Sequence, residues 1–188
     1  MSLDLASLSD GELVGLSIGG RAAAFAEILN RHRDAIFRII AASTGDAEEA
    51  LDLVQETFVS AHGALRRYDP ARPMRAWLTT IALNKCRDWG RRRAVRRLVA
   101  FALPLDDGAE RVVEDRPGQD VEAEDREALA RAQRAVAALP ASLREVLVLR
   151  TIEGMSQAET AAALGVSEKA VETRLRRARL RLSEQLAS

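Results

Sequence analysis

Trp77, Asn84, Lys85, Asp88 and Trp89, followed at once by Arg91, Arg92 and Arg93, crowd into the stretch WLTTIALNKCRDWGRRR. An indole can stack on a base, an amide both donates and accepts, and guanidinium groups pair with phosphate oxygens, so such a helix can hold nucleic acid. The same letters also fit an amphipathic helix with a solvated basic end. Nothing in the chain assembles a nucleophile with a base: His32 and His62 fall on separate predicted helices with no carboxylate or cysteine at useful spacing. The single cysteine, Cys86, cannot form an intramolecular disulfide or make a zinc site alone. We therefore expect no catalytic residues, no metal, no cofactor and no enzymatic activity.

The segment GMSQAETAAALGVSEKAVETRLRRARLRL is more specific. Ser156 and Glu159 have capping-box spacing, so a helix starts at Ser156. Gly165 supplies the left-handed residue that closes it, and Ser167 caps the next helix one tight turn later. On that helix Val171, Leu175, Ala178 and Leu182 share one apolar stripe. Lys169, Thr173 and Arg176 then point outward, flanked by Glu172 and Arg177. This is a helix-turn-helix whose outer face suits the DNA major groove, with N-terminal residues reaching base edges and flanking arginines meeting phosphates.

These side chains must be positioned by helices. Hydrophobic residues make up 47% of the 188, aromatics only 4%, and Ala, Leu, Arg and Glu dominate, which favours an all-α protein. Helical periodicity predicts a short helix over Asp10 to Ile18 and a longer one from Ala22 to about Ala42. A third, capped by Asp46, runs to about Leu65, and a fourth from about Met74 to Arg93, after the proline-broken loop RRYDPARP. EALARAQRAVAAL, ended by Pro140, and SLREVLVLRTIEG give two more, before two short helices around LGVS. Net charge is zero, yet charge is segregated. Arg87, Arg91, Arg92, Arg93, Arg96 and Arg97 form one basic block and Lys169 to Arg181 another, separated by the acidic PLDDGAERVVEDRPGQDVEAEDRE. The pattern reads as two small helical domains, 1–97 and 125–188, joined by an acidic linker over 98–124. No signal peptide or membrane span is recognised, so a soluble, cytoplasmic protein without membrane insertion is expected.

DAEEALDLVQETFVSAHGAL, then YDPARPMRAWLTTIALNKCRDWGRRR, then LPASLREVLVLRTIEGMSQAETAAALGVSEKAVETRLRRARLRL resemble the two signature domains of a bacterial sigma factor of the extracytoplasmic-function (ECF) group. The resemblance covers the chain from about Ala24 to Leu186, in the family's order and spacing.

It implies a σ2 helical bundle and a σ4 helix-turn-helix that recruit core RNA polymerase, through its β′ clamp and β flap, to promoter DNA. The DLVQETF helix would dock on the β′ clamp helices, with Asp52, Gln55 and Glu56 supplying polar contacts and Leu53, Val54 and Phe58 mostly internal. The Met74–Arg93 helix and the loop before it would take the melted −10 strand and extrude a base. Asn84 is then the first candidate to read it, with Trp77 supporting the pocket wall and Lys85 and Asp88 nearby. Arg91, Arg92 and Arg93, with Arg96 and Arg97, would hold phosphates. Lys169, Glu172, Thr173, Arg176 and Arg177 would read the −35 duplex. An anti-sigma factor is an implied partner. Two other readings stay open: a stand-alone helix-turn-helix regulator that never touches polymerase, and a sigma-mimic decoy that titrates an anti-sigma factor.

Overall fold

The computed structural model describes residues 3–102 and 120–187, with side chains over 3–96 and 127–187. Among the described residues all regular structure is helical: α1 (Asp10–Ile18), α2 (Ala22–Thr44), α3 (Ala47–Ala64), α4 (Met74–Ala102), α5 (Asp120–Ala138), α6 (Ala141–Leu147), α7 (Gln157–Leu164) and α8 (Glu168–Leu186). Most of the stretch read as a linker, residues 103–119, and the side chain of Arg97 lie outside the described residues.

Local chemistry sets the helix ends. α2 stops at Gly45, whose φ of +69° is left-handed, and Asp46 then caps α3 by accepting from the amides of Glu48 and Glu49 at 3.1 and 3.3 Å. The capping box at Ser156 is formed in full, with Glu159 N–H donating to Ser156 Oγ and Ser156 N–H to Glu159 Oε2, at 3.1 and 2.7 Å. Four boundaries differ from the sequence pattern, the first being α5, which begins at Asp120, seven residues ahead of EALARAQRAVAAL and inside the stretch read as linker. α4 continues past Arg93 to Ala102, because RRRAVRRLVAFA contains neither Gly nor Pro to stop it. α8 is long rather than short, spanning 19 residues. SLREVLVLRTIEG is not one regular helix: α6 ends at Leu147 and a wider π turn, Val148–Ile152, brings the chain to Gly154 at φ +62°.

α2, α3 and α4 pack together, with α1 laid against α2, around Ile28, Ile36, Ile39, Ile40, Leu53, Leu78 and Leu83. Two smaller clusters lie between α5, α6 and α8 and between α6, α7 and α8. Val148, Leu149, Met155 and Ala163 belong to the first core rather than to these, so the two halves share a buried apolar junction. Polar contacts ring it. Arg87 of α4 grips Glu145 of α6 with two bonds of 2.7 Å. Glu153, its side chain wholly buried, accepts from Arg38 at 3.0 and 3.2 Å and from Arg75 at 2.6 Å. Thr80 Oγ1 donates to the carbonyl of Ala163 at 3.1 Å.

The asymmetry of the Arg87–Glu145 pair is testable, since Glu145 is buried and Arg87 is partly exposed. Stranding the carboxylate in place would cost about 3–5 kcal/mol. Arg87→Ala is therefore expected to part the two halves, so that Glu145 regains water. Small-angle scattering should show a larger radius of gyration at unchanged helical circular dichroism. An unchanged radius would mean that the apolar junction and the Glu153 ion pairs hold the halves together without Arg87.

Candidate nucleic-acid interface

The α4 surface divides by helical phase. Trp89 faces inward, 8% exposed, and its Nε1–H donates to Glu49 Oε2 at 2.9 Å, which fixes the indole against the first turn of α3. Trp77 is half-buried against Tyr68, ring centroids 5.2 Å apart. Tyr68 in turn donates its hydroxyl to the carbonyl of Arg72 at 2.7 Å, so one aromatic pair ties the YDPARP loop to the start of α4. Pattern alone places both tryptophans in the core; only Trp89 is fully there. Asn84 and Asp88 are exposed on the flank that also carries Trp77, as the spacing predicts.

None of these polar groups is idle. Asn84 Oδ1 accepts from Arg87 Nη1 at 3.0 Å, and through Arg87 it is linked to Glu145. Lys85 Nζ lies 3.5 Å from Glu56, and Asp88 pairs with Arg91 one turn on. Arg91, Arg92 and Arg96 are exposed, while Arg93 is half-buried with its guanidinium 5.0 Å from the Trp89 ring centroid. A groove of about 650 Å³ separates this basic end from α3, with Asp52 and Glu56 on one wall and Arg91, Arg92 and Arg96 on the other.

On α3, Leu53, Val54 and Phe58 are buried as expected, and Asp52 and Gln55 are exposed. The sequence reading missed Leu51 and Val59, 57% and 73% exposed, which fall four residues either side of Gln55 and make its stripe apolar. Val59 continues into a largely apolar groove of about 500 Å³ with Phe25, Leu29, Val54 and Phe58. The missed signal was an apolar residue at an outward phase of an otherwise regular amphipathic helix.

The helix-turn-helix is arranged as read. Val171 and Ala178 are buried, Leu175 and Leu182 pack behind them, and Lys169, Glu172, Arg176 and Arg177 are exposed with Thr173 half-buried. Lys169 Nζ reaches Glu172 at 3.1 Å, and Thr173 Oγ1 donates back to the Lys169 carbonyl at 2.9 Å. The Glu159 carboxyl titrates below its ordinary value because Ser156 hydrogen-bonds its charged form.

His32 departs from expectation. Its Nε2 is 3.0 Å from Asp10 Oδ2, a carboxylate partner that comes from α1 and was invisible to local spacing. Asp10 also meets Arg31, whose guanidinium donates to the carbonyls of Leu5, Ala6 and Leu8. This network staples the N-terminal segment to α2; it presents no nucleophile. His62 packs edge-on against Phe25, ring centroids 4.8 Å apart. Among the described residues no cluster of His, Cys, Asp and Glu could hold a metal, and no helix is long and apolar enough to cross a membrane.

Two joined helical modules, one ending in a basic helix and the other in a helix-turn-helix with a cationic outer face, make up the described residues. Residues 28–96 match the family described as Sigma-70 region 2, and residues 129–182 the one described as Sigma-70, region 4. The chain is 44% identical over 181 residues to the RNA polymerase sigma factor CnrH of Cupriavidus metallidurans, covering 95% of this chain and 94% of that protein. It is 34% identical over 181 residues to the ECF RNA polymerase sigma factor SigM of Mycobacterium tuberculosis, covering 95% and 85%. The solved structure of CnrH in complex with the cytosolic domain of CnrY superposes with a TM-score of 0.69 at 36% identity, over 95% of this chain and 97% of that one. The sigma factor RpoE bound to the anti-sigma factor NepR from Bartonella quintana shares the fold, with a TM-score of 0.66 at 24% identity, over 87% and 96%. The chain belongs to the sigma-70 family, in its ECF group, whose members are transcription initiation factors rather than enzymes.

Cys86, at the buried side of α4, has its thiol pushed up to about 12, first by burial. It should therefore react negligibly with Ellman's reagent at pH 8 in the native protein and fully after denaturation. An unfolded thiol ionises near its ordinary 9.0, whereas the folded one keeps its proton to about 12. This contribution to stability is present below that window and falls as pH rises through it, which urea titrations from pH 8 upward will follow.

Proposed function

We propose that the protein directs core RNA polymerase to promoters by two separate acts of recognition, of the −35 duplex by α8 and of the melted −10 strand by α4. The boundaries 1–97, 98–124 and 125–188 serve as σ2, linker and σ4, the linker taking in the last residues of α4 and the first of α5. The observation that carries the reading is the outward flank of α4. Asn84 stands exposed between the half-buried Trp77 and a row of exposed arginines, with a hydrogen-bonding edge, an aromatic wall and phosphate-binding cations in sequence. Asn84 reads an extruded base, Trp77 and the Tyr68 loop support its pocket, and Lys85 and Asp88 set the local field. Arg91, Arg92 and Arg93 hold backbone phosphates.

On α8, Lys169, Glu172, Thr173 and Arg176 face base edges and Arg177 meets phosphate; Glu172 suits a cytosine amino group or a bridging water. Asp52, Gln55 and Glu56 contact the β′ clamp, and the exposed Leu51 and Val59 add the apolar area that polar contacts alone lack. σ4 also meets the β flap. The protein acts in the cytoplasm, where polymerase and promoter are.

Packing of α6 and α7 on α4 occupies Arg87 and Thr80, so both elements can be engaged only after the two halves part. CnrH has been captured with the cytosolic domain of CnrY and RpoE with the anti-sigma factor NepR, and an anti-sigma factor is proposed for this chain.

Transcription in vitro with purified bacterial core polymerase and promoter fragments from the source genome is the direct test. Initiation dependent on the protein is expected; its absence, with no core binding by gel filtration, would favour the stand-alone regulator or the decoy. Within that assay Asn84→Ala should lower open-complex formation about fivefold or more, as expected for one lost base contact of about 1–3 kcal/mol, while leaving core binding intact. Equal loss of both would mark Asn84 as structural. Arg177→Ala should weaken −35 binding alike across sequences and reduce the salt dependence by about one counterion. Arg176→Ala should instead relax sequence preference.

A further inference from the structure

Beneath the junction of the two halves is a polar pocket of about 370 Å³, lined by Ser43, Gly45, Trp89, Arg93, Arg134 and Arg144 among others. Its walls come from both halves: the α2–α3 turn and α4 on one side, α5 and α6 on the other. Gly45 permits the approach, since a Cβ there would stand 2.9 Å from that of Ala137.

The three guanidinium groups in this pocket have no carboxylate within ion-pair distance among the described residues. Arg93 lies over Trp89, and Arg134 is exposed and makes no hydrogen bond with a described residue. Arg144 donates through Nη1 to the carbonyls of Ala137 and Leu139, while its Nε–H is buried with no acceptor. Burial pulls the Arg144 pKa below its ordinary value, which marks a cation short of compensating charge. Ser43, 3% exposed, places its buried Oγ on the same wall, with the Cys86 thiol beside it. Asp46 is the one carboxylate on the wall, and its Oδ1 already accepts from the α3 amides. A buried donor left unmade is costly, and here the unpaired Nε–H of Arg144 and an excess of positive charge converge on one cavity.

We propose that this pocket binds a phosphoryl anion, as free phosphate or as the phosphate of a small phosphorylated metabolite, and that the bound anion bridges the two halves. A tetrahedral anion with several acceptor oxygens matches guanidinium donors arriving from three helices, and the cavity has room for a substituent beyond the phosphate. A lone carboxylate has too few acceptors to meet them all. Because Arg134 and Arg144 come from one half and Arg93 and Ser43 from the other, occupancy favours the packed arrangement over the parted one. The inference stands on the pocket and is independent of the function proposed above.

The test is titration of the full chain with sodium phosphate, and separately with adenosine 5′-monophosphate, at ionic strength held constant with sodium chloride. Heat is measured by calorimetry, and the amide resonances of Gly45, Gly90 and Ala137 are followed by NMR. Saturable binding that shifts all three resonances is expected, with about tenfold weaker binding in Arg134→Gln, whose side chain supports no other contact. Tighter binding of adenosine monophosphate would assign the site to a phosphorylated metabolite, and equal binding to free phosphate. The proposal is overturned if chloride gives the same shifts, if the resonances of only one half respond, or if Arg134→Gln binds like the parent.

Discussion

Two buried carboxylates hold the arrangement of this molecule in place. Glu145 and Glu153 belong to the second half of the chain, yet their counter-charges, Arg87, Arg38 and Arg75, all belong to the first. A carboxylate out of water is tolerated only where cations and donors surround it, so neither residue is comfortable unless α6 and the following π turn lie against α2 and α4. The apolar junction of Val148, Leu149, Met155 and Ala163 adds attraction without direction; the ion pairs supply the register. Such a contact is strong in its own geometry and weak once parted, because the freed carboxylates are then solvated. It suits an arrangement that must be both well defined and reversible.

α4 lies at the centre of this economy. Its inner phase builds the core through Leu78, Ala82, Leu83 and Trp89. One stripe meets α6 and α7 through Thr80 and Arg87, and the stripe beside it presents Asn84 and Asp88. The link from Asn84 through Arg87 to Glu145 means that the proposed base reader and the junction share a residue. Contact between the halves and the proposed contact with a melted strand are therefore coupled by geometry, without a separate signalling element.

How much of this was legible in the sequence depended on range. Caps and turn residues act within four positions, so Ser156 with Glu159, Gly165, Ser167 and Asp46 announced their helix ends correctly. Helical phase placed Leu53, Val54, Phe58 and Val171 inside and Asn84, Lys169 and Arg176 outside. What remained hidden was everything that depends on distant segments meeting. Nothing in the local pattern marks Glu145 and Glu153 as buried, since most glutamates are solvated, and the arginines that pair with them are 58, 78 and 115 positions away. His32 looked partnerless because Asp10 lies 22 positions upstream on another helix. Leu51 and Val59 were overlooked for the opposite reason: an apolar residue at an outward phase is common and says nothing until the surface around it is seen.

The uninterrupted course of α4 has one more consequence. From Met74 to Ala102 it is a single rod of 29 residues, about 43 Å long at ordinary helical rise. Asn84 and Arg91 sit on it roughly 10 Å apart along the axis, at nearly the same angular position. The distance between the proposed base reader and the proposed phosphate grip is thus a property of helix pitch, not of any loop. The helix acts as a ruler: inserting one residue between them would swing the arginines by about 100° and leave each half of the grip intact but facing a different way.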